Sequence, residues 1–204
     1  MDLAVIAYTF GAIFIVELPD KTFIAALVLS TRYKPLAVWL GVGLAFGVQT
    51  LVAVTVGYLA TLLPDTVVKA IALAIFLAGA VILFRTAPGA DAKEKEQEEE
   101  FAAQTAQPRS FFSALAASFL VIFAAEWGDL SQLLTISFVD RYDDHVDVFI
   151  GAWSALLVVS GLAVVAGRVL LRYMKLSLLH YIGSAVCLLL AVLTAVELVR
   201  GLSG

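Results

Sequence analysis

Two short clusters concentrate the reactive side chains of this 204-residue chain: Glu17-Leu18-Pro19-Asp20-Lys21-Thr22 and Glu126-Trp127-Gly128-Asp129-Leu130-Ser131. Each sets a Glu three residues before an Asp inside an otherwise apolar run, where a carboxylate costs at least about 2.5–3.5 kcal/mol. The i, i+3 spacing predicts that each pair shares one helical face. Two such faces meeting would gather four acids against a single intramembrane base, Lys21, a set that cannot stay fully ionised without a counter-charge. The surrounding donors are oxygens. They are the four carboxylates, Thr22, Ser131 and Gln132 nearby, and the backbone carbonyls that Pro19 (through Ile15) and Gly128 are expected to free. Oxygen sets of this kind take Mg²⁺, Ca²⁺ or Mn²⁺. A thiol or imidazole metal site does not fit, because His145 lies in a loop, His180 at a span end and Cys187 away from both clusters.

The elements that must position these residues are membrane helices. With 62% apolar and 15% charged residues and a mean hydropathy of +0.99, the chain is too oily for a water-soluble fold. That excludes a soluble enzyme, and a net charge of -4 gives no basic footprint for nucleic acid. Apolar stretches at about 3–30, 36–63, 66–85, 110–139, 147–171 and 177–199 predict six spans, each near the roughly 20 residues a bilayer requires. The first stretch lacks a basic leader and is expected to remain in the mature protein. Residues 86–109, with the run Lys93 to Glu100, read as a solvated linker or short surface helix, and alternatively as a cation-attracting vestibule or regulatory segment. Nine Lys and Arg on the linker side against three on the other place the linker in the cytoplasm and both termini outside. Asp2, Asp65, Asp140, Asp143, Asp144 and Asp147 make an acidic rim opposite, which reads equally well as a rim that draws or releases cations and as plain solvated loop ends.

The halves repeat. The two clusters align at an offset of 109 residues, as do Arg32-Tyr33 and Arg141-Tyr142, and one residue later Gly41 aligns with Gly151 and Gly57 with Gly167. Three spans per repeat force the second copy to enter the membrane from the other side. The predicted fold is therefore an all-α integral membrane protein of six transmembrane helices in two inverted three-helix repeats, 1–85 and 110–204, joined by the acidic linker 86–109. Gln49 and Thr50 in the second span fit a pathway lining or an interhelical hydrogen bond equally well. Gly43 to Gly47 and Ala163 to Gly167 read as close helix packing. Trp39, Tyr33, Tyr142, Tyr173 and Tyr181 read as an interfacial belt, and Glu197 and Arg200 as interfacial charges.

The doubled cluster resembles the motif of the GDT1-like family of cation transporters, also called uncharacterised protein family 0016, whose pattern is a repeated Glu-x-Gly-Asp-(Lys/Arg)-(Ser/Thr). The resemblance covers essentially the whole chain. Two positions depart from it: Pro19 replaces the first glycine and Leu130 the second basic residue, which makes the cluster more acidic. The resemblance implies export of Mn²⁺ or Ca²⁺ in exchange for protons, with Glu17, Asp20, Glu126 and Asp129 as the cation-binding and proton-exchanging residues. It implies Mn²⁺ first, by likeness to compact bacterial manganese exporters, and a bacterial plasma membrane location.

Charge bookkeeping agrees with exchange, since protons can replace a departing divalent ion on the carboxylates. Lys21, by repelling the cation or pairing with Asp20, would aid release. The partners expected are the divalent ion, protons and lipid, with a homo-oligomer left open. The ion is bound as substrate and no cofactor is expected. Alternatives are a passive channel or uniporter and an exporter of small organic cations. An intramembrane enzyme is disfavoured: the paired acids could do acid–base work, but no Gly-x-Gly-Asp, HExxH or Ser–His arrangement accompanies them.

Overall fold

The structure, a computed structural model, describes residues 1–18, 20–60, 62–104, 110–142, 144–173 and 176–203; the side chains at 65, 91, 94, 95, 98, 101, 104, 167–176 and 201–203 lie outside the description. Expectations placed on Pro19, Arg109, Asp143 and Lys175 therefore lie outside the described residues. The rest is helical: α1 (Leu3–Glu17), α2 (Lys21–Arg32), α3 (Pro35–Ala60), α4 (Asp65–Thr86), a 3-10 turn (Ala87–Gly89), α5 (Ala90–Gln104), α6 (Phe111–Ala125), α7 (Leu130–Tyr142), α8 (His145–Tyr173) and α9 (Leu176–Ser203). Among the described residues four helices are long and apolar enough to cross a bilayer, at Pro35–Ala60, Thr66–Gly89, His145–Ala166 and Ser177–Arg200. A fifth crossing is available to α6 and α7 if that bent pair counts as one.

The first and fourth apolar stretches are not single helices, which corrects the helical-face expectation for the motif acids. Helix α1 ends at Glu17 and α2 begins at Lys21, while α6 ends at Ala125 and α7 begins at Leu130 after a 73° bend. At the second break Gly128 adopts φ +75°, a left-handed conformation that side chains with a Cβ rarely take. At the first, Asp20 is extended, with φ -85° and ψ 162°. Each Glu and its Asp therefore sit on either side of a break.

The helices interlock through closely approaching glycines. Gly41 of α3 lies so near α6 that a Cβ there would come 2.4 Å from the Leu115 carbonyl oxygen and 3.0 Å from Ser118 Cβ. Gly151 of α8 lies against α1 in the same way, 2.7 Å from the Ile6 oxygen and 2.9 Å from Thr9 Cβ. Every member of the second set matches its counterpart in the first at an offset of 109 or 110 residues. Helices α3 and α8 also meet directly: Gly43 faces Leu157 and Gly47 faces Trp153, which is the close packing expected of Gly43 to Gly47. Trp153 donates to the Gly43 carbonyl (2.9 Å) and Trp39 to the Leu157 carbonyl (3.0 Å), so each indole ties α3 to α8. Helix α4 runs along α9, tied by the Ser184 hydroxyl to the Ala80 carbonyl at 2.8 Å. The outer faces of α4 and α9 stay apolar and uncovered, with only 33% and 28% of their spans buried, as hydrocarbon contact requires.

Other charged groups find partners across the fold. Glu197 accepts a 2.7 Å bond from Arg141. Asp147 is buried and accepts from the Asp2 amide, so it is not a solvated loop end. The Asp147 amide donates to Asp144 Oδ1 at 3.1 Å, which holds the Asp144 carboxyl below its ordinary range. Within 86–109, helix α5 packs on α2 through Ala90 and Ala102 against Ile24 and Val28.

Candidate cation site

The breaks place the acids by dipole as well as by distance. Asp20 and Asp129 stand at the N-terminal ends of α2 and α7, whose exposed amides favour a carboxylate. Glu17 and Glu126 stand at the C-terminal ends of α1 and α6, whose carbonyls favour a cation. One oxygen from each of the four lies within 4.8 Å of the others. Glu17 and Glu126 are each 1% exposed, and Asp20 and Asp129 are partly exposed.

Few donors reach these oxygens. Thr22 Oγ1 donates to Glu17 Oε1 at 2.8 Å. Asp129 Oδ2 receives the Ser131 hydroxyl at 3.1 Å and the Ser131 amide at 3.3 Å, so it caps α7. Lys21 Nζ crosses from the first cluster to the second and stands 3.8 Å from Glu126 Oε1, so it forms an ion pair with Glu126. Glu17 Oε2, Asp20 Oδ2 and both oxygens of Glu126 are buried with no hydrogen-bond partner. Buried acceptors are normally satisfied, and four orphans together mark a place for a proton or a cation.

Gln132 does not offer a loose ligand. Its Nε2 donates to the Glu126 carbonyl at 2.7 Å, and its Oε1 accepts the Gly128 amide at 3.2 Å. Both ends brace the second break, and the carbonyl that the break frees is taken up internally. Leu130, where the resemblance leads one to expect a base, lies against α4 and α9: a Cβ at Gly79 would meet Leu130 Cδ1 at 2.9 Å and Cys187 Sγ at 3.3 Å.

Two cavities share residues with the cluster. A large one of 690 Å³ counts Asp20, Lys21, Gly128 and Asp129 in its lining and extends along α4 to Thr86, then to Lys93 and Gln97 of α5. A small one of 10 Å³ is lined by Phe46, Gln49, Thr50, Glu126, Ser131, Gln132, Thr135 and Leu156. The Asp residues thus border the large cavity and Glu126 the small one. Lys93 and Gln97 belong to the run whose alternative reading is a cation-attracting vestibule, whereas Thr135 is not singled out from the sequence. The available signal for Thr135 is its position one turn after Ser131 in an apolar run.

The sequence matches the family described as divalent cation/proton antiporter GDT1 over residues 5–91 and 114–201. It is 29% identical to GDT1-like protein 1, chloroplastic, of Oryza sativa subsp. indica, over 95% of this chain and 62% of that protein. It is 28% identical to Protein PAM71, chloroplastic, of Arabidopsis thaliana, over 95% of this chain and 57% of that one. A GDT1-like protein of Synechocystis is 31% identical over 80% of this chain and 86% of its own length. The chain thus spans about 60% of the length of the plant relatives. No solved structure matches it. The chain belongs to the GDT1 family of divalent cation/proton antiporters.

Proposed function

We propose that this chain is a multi-pass secondary transporter that exports a hard divalent cation, Mn²⁺ ahead of Ca²⁺, in exchange for protons by alternating access. Glu17, Asp20, Glu126 and Asp129 are the shared site. The observation that carries the reading is the convergence of these four carboxylates, with one oxygen of each within 4.8 Å and four buried oxygens among them unpartnered. An all-oxygen set suits Mn²⁺ or Ca²⁺; Ca²⁺ takes six to eight ligands, so a compact four-carboxylate cluster favours the smaller ion. In this reading α1 with α2 and α6 with α7 are two broken spans, giving six spans in two inverted repeats, 1–85 and 110–204, with 86–109 between them. Broken helices meeting at mid-membrane are how such repeats build ion sites. In this reading the linker and the large cavity face the cytoplasm and both termini lie outside, as the Lys and Arg asymmetry favours.

The residues then divide the work. The ion reaches Asp20 and Asp129 from the large cavity, and the carbonyl ends of α1 and α6 stabilise it beside Glu17 and Glu126. Lys21, held 3.8 Å from Glu126, competes with the ion for that carboxylate and promotes its release. Protons taken up by the emptied carboxylates keep the cluster neutral enough to return. The ion is substrate, and no resident cofactor enters this scheme. Proteoliposomes holding the full chain under an imposed pH gradient test it. Uphill Mn²⁺ flux with stoichiometric proton counterflow is expected, and Mn²⁺ movement without protons would instead identify a channel or uniporter.

A further inference from the structure

Gln49 lies in α3, and its side chain is 3% exposed. Its Nε2 donates to the Phe123 carbonyl at 3.1 Å. Because a carbonyl accepts only from the amide NH₂ group, this fixes the orientation of the side chain. Its Oε1 is left buried and without a partner, in a residue lining the same 10 Å³ cavity as Glu126. Two hydroxyls on that cavity have their protons committed elsewhere, Ser131 to Asp129 Oδ2 at 3.1 Å and Thr135 to the Ser131 carbonyl at 2.7 Å. Both therefore retain oxygen lone pairs. The cavity has room for about one water-sized body, so a cation entering it must exchange most of its hydration shell for protein oxygens.

The other half has no counterpart. The positions matching Gln49, Gln132 and Thr135 are Val159, Phe23 and Ala26, all buried and apolar. The side-chain oxygens of Gln49, Gln132 and Thr135 thus gather on the small cavity with Glu126 and are not repeated at the matching positions.

We propose that the small cavity is a second cation subsite, in which the Gln49 amide oxygen, with Glu126, Ser131 and Thr135, holds a largely dehydrated divalent ion. The ion leaves the four-carboxylate site through the Glu126 half, and Gln49 is a specificity-determining ligand on that route. This rests on the transport reading above.

The experiment uses the full chain in proteoliposomes, with Mn²⁺ as the probe and flux measured as a function of concentration. Gln49→Met keeps length and removes the oxygen, Gln49→Glu keeps an oxygen, and Thr135→Val removes a second oxygen from the same cavity. Gln49→Met and Thr135→Val are expected to raise the KM for Mn²⁺ about tenfold each, the scale of one lost ligand, with kcat within about twofold. Gln49→Glu is expected to hold KM at or below the wild-type value. If Gln49 only braces α3 against α6, both Gln49 variants lose kcat together and Thr135→Val leaves KM unchanged; that pattern, or wild-type KM in all three, overturns the subsite. Wild-type protein that fails to exchange Mn²⁺ for protons overturns the transport reading instead. Thr135→Val keeps the subsite testable even if a Gln49 variant does not fold.

Discussion

Glu17 and Glu126 hold matching positions at the ends of α1 and α6, yet their surroundings differ. Glu17 accepts a hydroxyl from Thr22, whereas Glu126 receives no hydrogen bond and is approached by Lys21 from the other cluster. Asp129 caps α7 through Ser131, while Asp20 makes no side-chain cap to α2. The helix packing, by contrast, is alike in the two halves, down to the carbonyls that meet Gly41 and Gly151. A duplicated scaffold thus carries two unlike half-sites: the packing frame is alike in both, and the side chains around the matching acids are not.

The largest effects should fall where the halves are alike. Glu17→Gln, Asp20→Asn, Glu126→Gln and Asp129→Asn are each expected to lower proton-coupled Mn²⁺ flux about a hundredfold or more, some 2.7 kcal/mol. A half whose acids tolerate neutralisation would show that the ion is held by one repeat alone. The next effect separates the halves. Gln132→Leu removes the brace on the second break and is expected to cut flux about tenfold, whereas Phe23→Leu at the matching position changes it less than about twofold. Equal losses would mean that the two breaks are held in the same way.

Effects on the shared frame fall on a separate scale, that of stability. Gly41→Ala and Gly151→Ala each force a Cβ against a backbone oxygen, 2.4 Å and 2.7 Å away, and should lower stability by about 1–3 kcal/mol. Gly11, with nothing within 4 Å of an added Cβ, should gain up to about 1 kcal/mol as Ala. Thermal unfolding in detergent measures all three, and a neutral Gly151→Ala would break the correspondence with Gly41. The smallest expected effect concerns Arg141, which bonds Glu197 while its counterpart Arg32 is exposed. Arg141→Ala should cost about 0.2–1 kcal/mol, and Arg32→Ala less in the same assay.

Much of this was legible in the sequence, because buried acids in apolar runs are costly enough to stand out and their repetition at one offset is hard to produce by chance. The meeting of Glu17, Asp20, Glu126 and Asp129 follows from that reasoning. Its mechanism does not: periodicity places i and i+3 on one face of a continuous helix, and hydropathy cannot register a break whose residues remain mostly apolar. Gly128 could signal the bend but not its left-handed φ. The engagement of both ends of Gln132 and the Arg141–Glu197 pair depends on tertiary approach, which no local pattern encodes. The packing of α5 on α2 was hidden for another reason, since its alanine contacts are diluted in a charged run.

The central claim is that one divalent ion and the protons it displaces share the four carboxylates. Calorimetric titration of Mn²⁺ into the purified full chain, repeated in buffers of different ionisation enthalpy, counts ions bound and protons released together. One tightly bound ion per chain with net proton release, both lost together in Glu17→Gln and in Glu126→Gln, is the predicted result. Mn²⁺ binding that releases no protons, or that survives neutralisation of either Glu, would contradict it.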